Sequence, residues 1–202
     1  SEFIHIGGDE TPKVRWKKCP KCQKRIRDEG LSDEKELQSY FISRVEKYII
    51  SRGRRLIGWS EIIEGGLAPN AAVMDWIGGA NEATEKGQDV VMSPTSHCYF
   101  DYPYKSINSE RAYSFDPVKD LSEEQSEHIL GLQANFWSHI DREPELVDKQ
   151  LFPRLLSIAE RGWSPSDVTD WNSFRNRLEK HLTVLQQMGI NYYKDDVSES
   201  VE

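Results

Sequence analysis

Two adjacent carboxylates, Asp9 and Glu10, follow a pair of glycines, Gly7 and Gly8, at the end of a short apolar run of Phe3, Ile4 and Ile6. Neighbouring side chains on an extended backbone point to opposite sides, so one bound molecule meets both acids only if the chain turns sharply before them. Gly7 and Gly8 allow that turn. The chemistry that needs two carboxylates with different duties is acetal hydrolysis. One acid protonates the departing oxygen, and a second negative group stabilises positive charge developing at the sugar carbon. The same residues also read as a strand ending in a solvated acidic turn, so the later chain has to decide.

Three indoles bear on that choice. Trp59, Trp76 and Trp137 each close an apolar run, at residues 54–59, 72–76 and 129–137. Sugars present flat C–H faces that aromatic walls grip, although rings of this size also fill cores. Their shared position at strand exits favours a common rim. His5, inside the first run, reads as a buried buttress of the acidic turn rather than a proton shuttle, and Glu61 and Glu160 as partners of nearby arginines, with support of the site's own side chains as the alternative for Glu61. The stretch from Pro94 carries His97, Tyr99, Phe100, Asp101, Tyr102 and Tyr104 without periodicity, and such a long connection is usually functional.

The net charge of −8 argues against a nucleic-acid partner. No run is long and apolar enough to span a membrane, and any targeting segment would have to precede Ser1. Cys19-Pro20-Lys21-Cys22 is a CxxC with three readings: redox pair, half a zinc site, or small disulfide loop. No second CxxC or His pair at ligand spacing accompanies it, so a local staple is preferred, with no metal or other cofactor expected.

The elements that must position these residues alternate. Strands are expected at residues 2–6, 54–59, 72–76, 89–93 and 129–135. Helices are expected over 33–52, 62–67, 81–86, 122–127, 148–161 and 170–188, with residues 13–27 forming a loop that runs into a short helix and 191–202 forming a tail. Strands alternating with helices imply a parallel sheet, and the polar and aromatic candidates fall after strand carboxyl ends, where α/β folds and above all (β/α)8 barrels keep their sites. Five strands correspond to the later portion of such a barrel.

Six segments in order carry a resemblance: His5-Ile6-Gly7-Gly8-Asp9-Glu10; Gly58-Trp59-Ser60-Glu61; Asp75-Trp76; Tyr99-Phe100-Asp101; Gly131 to Trp137; and Phe152-Pro153-Arg154 with Ala159-Glu160-Arg161-Gly162-Trp163. Together they resemble the family-20 glycoside hydrolases, the β-N-acetylhexosaminidases. The resemblance implies that residues 1–190 are the carboxyl-terminal part, strands four to eight, of a (β/α)8 catalytic barrel. It implies retaining, substrate-assisted hydrolysis of terminal non-reducing β-linked N-acetylglucosamine or N-acetylgalactosamine, in which the substrate's own acetamido oxygen attacks the anomeric carbon.

By the same resemblance Glu10 is the general acid/base and begins protonated. Asp9 stays ionised to orient the acetamido N–H, and Tyr99 holds the acetamido oxygen. Trp59, Trp76 and Trp137 wall the sugar, and Asp101 is a further hydrogen-bonding candidate. His139 stands where the family commonly has a Glu that binds the outer hydroxyls, which would alter gluco against galacto preference or pass the task to Asp141. The partner implied is an N-acetylhexosamine-containing oligosaccharide or glycoconjugate, with a dimer or a missing amino-terminal barrel half completing the sheet. A secreted or periplasmic location goes with the family. The rival reading is a catalytically incomplete sugar-binding fragment of the same fold.

Overall fold

Short runs rich in Val, Ile and Leu, each followed by a turn, give five strands. They are β1 (Phe3–His5), β2 (Arg55–Trp59), β3 (Ala72–Asp75), β4 (Val90–Met92) and β5 (Ile129–Leu132). The computed structural model describes residues 1–137 and 143–196. The strands form one sheet in the order β1-β2-β3-β4-β5, with parallel pairing from β1 through β4. Consecutive strands are thus spatial neighbours, joined by crossovers on the way back, as in one arc of a (β/α)8 barrel. The chain divides into two compact units: Ser1–Met92 with Asp120–Leu130, and Ser93–Lys119 with Gly131–Glu202.

In the first unit both sheet faces are apolar, as a parallel sheet requires. Leu56, Val73 and Val90 pack on Ile42 and Ile49 of helix α3 (Glu34–Ser51). The alternate residues Ile57, Ala72 and Met74 cluster with Phe3, Trp59 and Val91 on the opposite face. Helix α3 starts where Asp33 accepts from the backbone N–H groups of Lys35 and Glu36 at 2.8 and 3.0 Å. Before it, the expected loop and short helix are two helices, α1 (Val14–Lys18) and α2 (Pro20–Asp28), because Pro20 is well suited to the first helical position. The helix expected over 62–67 is instead a single 3₁₀ turn at Ser60–Ile63, cut short before the positive-φ Gly65 and Gly66. Helices α4 (Ala80–Glu85) and α7 (Glu123–Ser126) lie where helical stretches were expected, α7 opening on a Ser122–Gln125 capping box.

Asp89, at the foot of β4, joins three strands. Its carboxylate pairs with Arg55 at 2.7 Å and His128 Nδ1 at 3.2 Å. Partial burial raises its pKa, but the bonds to Arg55 and His128 outweigh that and hold it below the ordinary 3.8. The folded state therefore binds this proton less readily than the unfolded chain. The stabilisation is complete above about pH 4 and is lost as pH falls through the folded value. An Asp89→Asn variant is expected to unfold at a lower temperature than the parent at pH 7, with the difference shrinking by pH 3 in parallel thermal melts.

The second unit is mostly helical: α5 (Thr95–Cys98), α6 (Ser109–Tyr113), α8 (Pro144–Leu151), α9 (Arg154–Trp163) and α10 (Trp171–Gln187). The single helix expected over 148–161 is two, because the residue before a proline is driven out of the α region and Phe152, before Pro153, is extended at φ −103° and ψ 141°. Tyr113 of α6 stacks on Phe174 of α10 at 4.5 Å, with Leu178 beside them. Residues 191–196, the start of the expected tail, are tied down. Tyr193 stacks on Tyr104 at 4.2 Å, and the Asp196 carboxylate accepts from the Ser109 backbone N–H at 3.1 Å. Among the described residues no helix is long and apolar enough to cross a membrane.

Candidate active site

The first unit holds four of the predicted site residues. Parallel pairing runs on past β1: Ile6 N–H donates to Ile57 O and Trp59 N–H to Gly7 O, both at 2.9 Å. The chain then swings away through Gly7 at φ +72° and Gly8 at φ +98°. A Cβ on Gly8 would stand 2.5 Å from Ile62 Cγ2, and one on Gly58 would stand 2.8 Å from the same atom. Ile62, with no exposed surface, fills the space that two glycines leave. Gln38 Nε2 donates to Gly8 O at 2.8 Å and fixes the outer side of the turn. Past it, Asp9 is half-buried and Glu10 exposed, with Glu10 in the left-handed region at φ +45°. That conformation is uncommon without glycine and needs a local partner to hold it.

Glu61 is that partner. Its Oε1 accepts from the Glu10 backbone N–H at 3.2 Å, while Oε2 accepts from the Trp76 indole N–H at 2.8 Å. One carboxylate from the exit of β2 thus ties the acidic turn after β1 to the indole after β3. Trp59 meets Trp76 edge-on at 6.2 Å, and His5 meets Trp59 edge-on at 5.1 Å. Glu61 therefore takes the supporting role that was its alternative rather than that of an arginine partner, whereas Glu160 does pair with Arg177. The signal available in the sequence was position: Glu61 lies two residues past Trp59, where β2 delivers its side chains to the rim.

His5 braces the acidic turn as expected, but its surface is exposed where a buried ring was expected. The Gly7 N–H donates to His5 Nδ1 at 3.0 Å, which requires that nitrogen to be unprotonated. Partial burial lowers the imidazole pKa by more than the neighbouring Asp9 charge raises it, so the ring is neutral around pH 7. Asp75 sets the turn beneath Trp76. It accepts from Ser60 Oγ at 3.0 Å, Gly78 N–H at 2.7 Å and Ala80 N–H at 3.0 Å, and Ser60 Oγ in turn accepts from Trp76 N–H at 3.1 Å.

The second unit carries Tyr99, Asp101 and Trp137, and sets the first and last of these rings against each other. Tyr99 bridges to Asn135 in parallel fashion, with Phe100 N–H donating to Asn135 O and Asn135 N–H donating to Cys98 O, both at 2.7 Å. Asn135 is buried, and its Nδ2 donates to Ser93 Oγ at 2.5 Å. Neither residue stands out by type or spacing, although Asn135 lies inside the segment that carries the resemblance. This lattice presents the Tyr99 ring 6.4 Å from that of Trp137 and 6.3 Å from that of Tyr102. Asp101 Oδ1 is buried with no hydrogen-bond partner among the described residues, an acceptor left over for a donor from elsewhere. Beneath the segment, the guanidinium of Arg154 donates to Phe100 O at 2.5 Å, Ile107 O at 2.6 Å and Gln150 O at 2.8 Å. His139 and Asp141 lie outside the described residues.

Known proteins share this arrangement of chain. A beta-hexosaminidase of Porphyromonas gingivalis is 44% identical, over 95% of this chain and 26% of the relative's length. An exo beta-N-acetylglucosaminidase of Vibrio harveyi, solved in complex with N-acetylglucosamine, superposes with a TM-score of 0.85 at 29% identity, over 96% of this chain and 33% of that one. The Flavobacterium johnsoniae chitobiase structure gives a TM-score of 0.80 at 32% identity, over 96% of this chain and 30% of that one. The chain thus spans about a quarter to a third of the length of these relatives. Residues 1–166 match the catalytic domain of glycosyl hydrolase family 20, and with six ordered segments, strand order and superposition in agreement, the chain belongs to that family.

Proposed function

We propose that this chain supplies strands four to eight of a (β/α)8 catalytic barrel that removes terminal non-reducing β-linked N-acetylglucosamine or N-acetylgalactosamine from glycans by retaining, substrate-assisted hydrolysis. The observation that carries the reading is the Glu61 bridge, which fixes the Asp9–Glu10 turn against Trp76 where a sugar ring would lie. The name of the Porphyromonas relative and the sugar held by the Vibrio enzyme support the substrate class. A secreted or periplasmic location accompanies the proposal.

In this mechanism Glu10 gives its proton to the glycosidic oxygen as the bond to the anomeric carbon breaks. The substrate's acetamido oxygen closes on that carbon from the opposite face. Asp9 accepts the acetamido N–H and balances the positive charge of the resulting ring, while the Tyr99 hydroxyl donates to the attacking oxygen and aligns it. Trp59, Trp76 and Trp137 exclude water from the acetamide and the sugar face. Asp101 and His139 bind sugar hydroxyls. Water then opens the intermediate, with Glu10 taking its proton back.

The test is turnover of an aryl N-acetyl-β-glucosaminide by the intact protein, beside the 2-hydroxy glucoside that lacks the acetamide. Hydrolysis of the first alone, inhibited by a thiazoline analogue of the intermediate, is expected. Equal rates on both substrates would sink substrate assistance, and thiazoline binding without any turnover would favour the sugar-binding fragment. Glu61→Gln tests the bridge. An amide presents one oxygen and one NH2 group, so one of the two N–H donors loses its acceptor. A loss of up to about 10²-fold in kcat is expected, the scale set by small misplacements of a reacting group. The Trp76 indole proton should shift upfield in an NMR spectrum of the same variant.

A further inference from the structure

The proposed hydrolysis makes no use of Cys19 and Cys22. They are the N-cap and third residue of α2, both partly exposed, and both are free thiols, as is the buried Cys98. The expected staple is therefore open. Helical rise and radius put Cα atoms three residues apart on the first turn about 5 Å from one another, within the Cα separations of about 4.4–6.8 Å that a disulfide spans. The Gln23 N–H donates to Cys19 O at 3.0 Å and closes that first turn. Pro20 between them fixes the turn. We propose that Cys19 and Cys22 form a dithiol that exchanges with low-molecular-weight disulfides and closes reversibly into a disulfide at the start of α2.

The two sulfurs differ in the way such an exchange needs. Cys19 makes no formal cap bond, but the Cys22 N–H and thiol, with lesser help from Lys21, hold its pKa below the ordinary thiol value. Cys22 is raised, first by donating to Cys19, then by burial and by Glu34. Cys19 is accordingly the attacking thiolate and Cys22 the resolving one. Cys19 displaces one thiolate from the external disulfide, RSSR, and becomes a mixed disulfide. Cys22 attacks the Cys19 sulfur and expels the second thiolate. One protein S–S bond forms, RSSR is reduced to two RSH, and the two protein thiol protons end on them. An oxidising compartment of the kind proposed above supplies such disulfides. Cys98 serves as an internal control, since burial pushes its thiol up to about 12.

The experiment incubates the intact chain in glutathione buffers of rising oxidised fraction, quenches free thiols with an alkylating reagent, and reads intact mass and linked peptides. Expected are a species short of two hydrogens with Cys19 joined to Cys22, its reversal by excess reduced glutathione, and an unmodified Cys98. Cys22→Ser should stop at a glutathione adduct on Cys19, and Cys19→Ser should react several-fold more slowly than the parent. The proposal is overturned if the native chain stays fully reduced in oxidised glutathione while the unfolded chain closes. It is overturned equally if mixed disulfides accumulate in the parent without closure, or if Cys19→Ser reacts at the parental rate. None of these readouts depends on glycosidase activity, so the result stands apart from the proposed hydrolysis.

Discussion

Glu10→Gln is expected to reduce hydrolysis of N-acetyl-β-glucosaminides by about 10²–10⁴-fold, the range a well-placed proton donor contributes. The amide keeps the size of the side chain and leaves the Glu10 backbone N–H to Glu61 unchanged, so the turn persists. The loss should depend on the leaving group. A sugar alkoxide departs only with a proton, whereas a nitrophenolate departs nearly unaided, so the deficit must be larger on a disaccharide than on the aryl substrate. Steady-state kinetics on both substrates, with thiazoline affinity as a control for folding, reads this directly. A deficit of equal size on the two would remove Glu10 from the acid's role and leave Asp9 or another group to be sought.

The second large effect concerns Arg154, whose surface is 0% exposed. Its guanidinium donates to three backbone carbonyls and lies over the rings of Phe100 at 4.7 Å and Tyr104 at 4.1 Å. Burial lowers its pKa to about 10, which still leaves it charged at neutral pH. Arg154→Met keeps an apolar side chain of roughly suitable length and strands the carbonyls of Phe100, Ile107 and Gln150. Each abandoned buried acceptor costs roughly 1–3 kcal/mol, and the methionine recovers part of that through packing, so a net loss of about 3–5 kcal/mol is expected. Urea unfolding of the variant against the parent gives the number. An unchanged midpoint would mean that those carbonyls find other donors. Because Phe100 lies between Tyr99 and Asp101, thiazoline affinity should fall alongside stability.

Strand positions were legible in the sequence because each strand is an apolar run bounded by turn residues, and the side chains at the strand exits followed from that. Helix ends in the second unit were less so. The apolar period of 148–161 continues through Pro153, so periodicity suggested one helix where the backbone preference of Phe152 makes two. The connection from Pro94 looked structureless, yet α5 and α6 form within it. Four or five residues are too few to show a period, and α6 depends on Asn108 accepting from Arg111 N–H. The Glu61 bridge was invisible for another reason. It joins residues 51 and 15 positions apart, and only the order β1-β2-β3 places them side by side.

Ile62 makes the acidic turn and the end of β2 a single steric unit. Its Cγ2 occupies the place of a methyl on Gly8 or on Gly58, so these three positions share one volume. Paired substitution then ceases to be additive: trimming Ile62 to Ala opens a void, and Gly8→Ala, which collides in the parent, would find room in that background and keep only the strain of its left-handed backbone. Libraries that vary Gly8 and Ile62 one at a time would record each as intolerant, while the compensating pair would fare better; Gly58 stays closed in either background, because a Cβ there also meets Gly7 O at 2.9 Å.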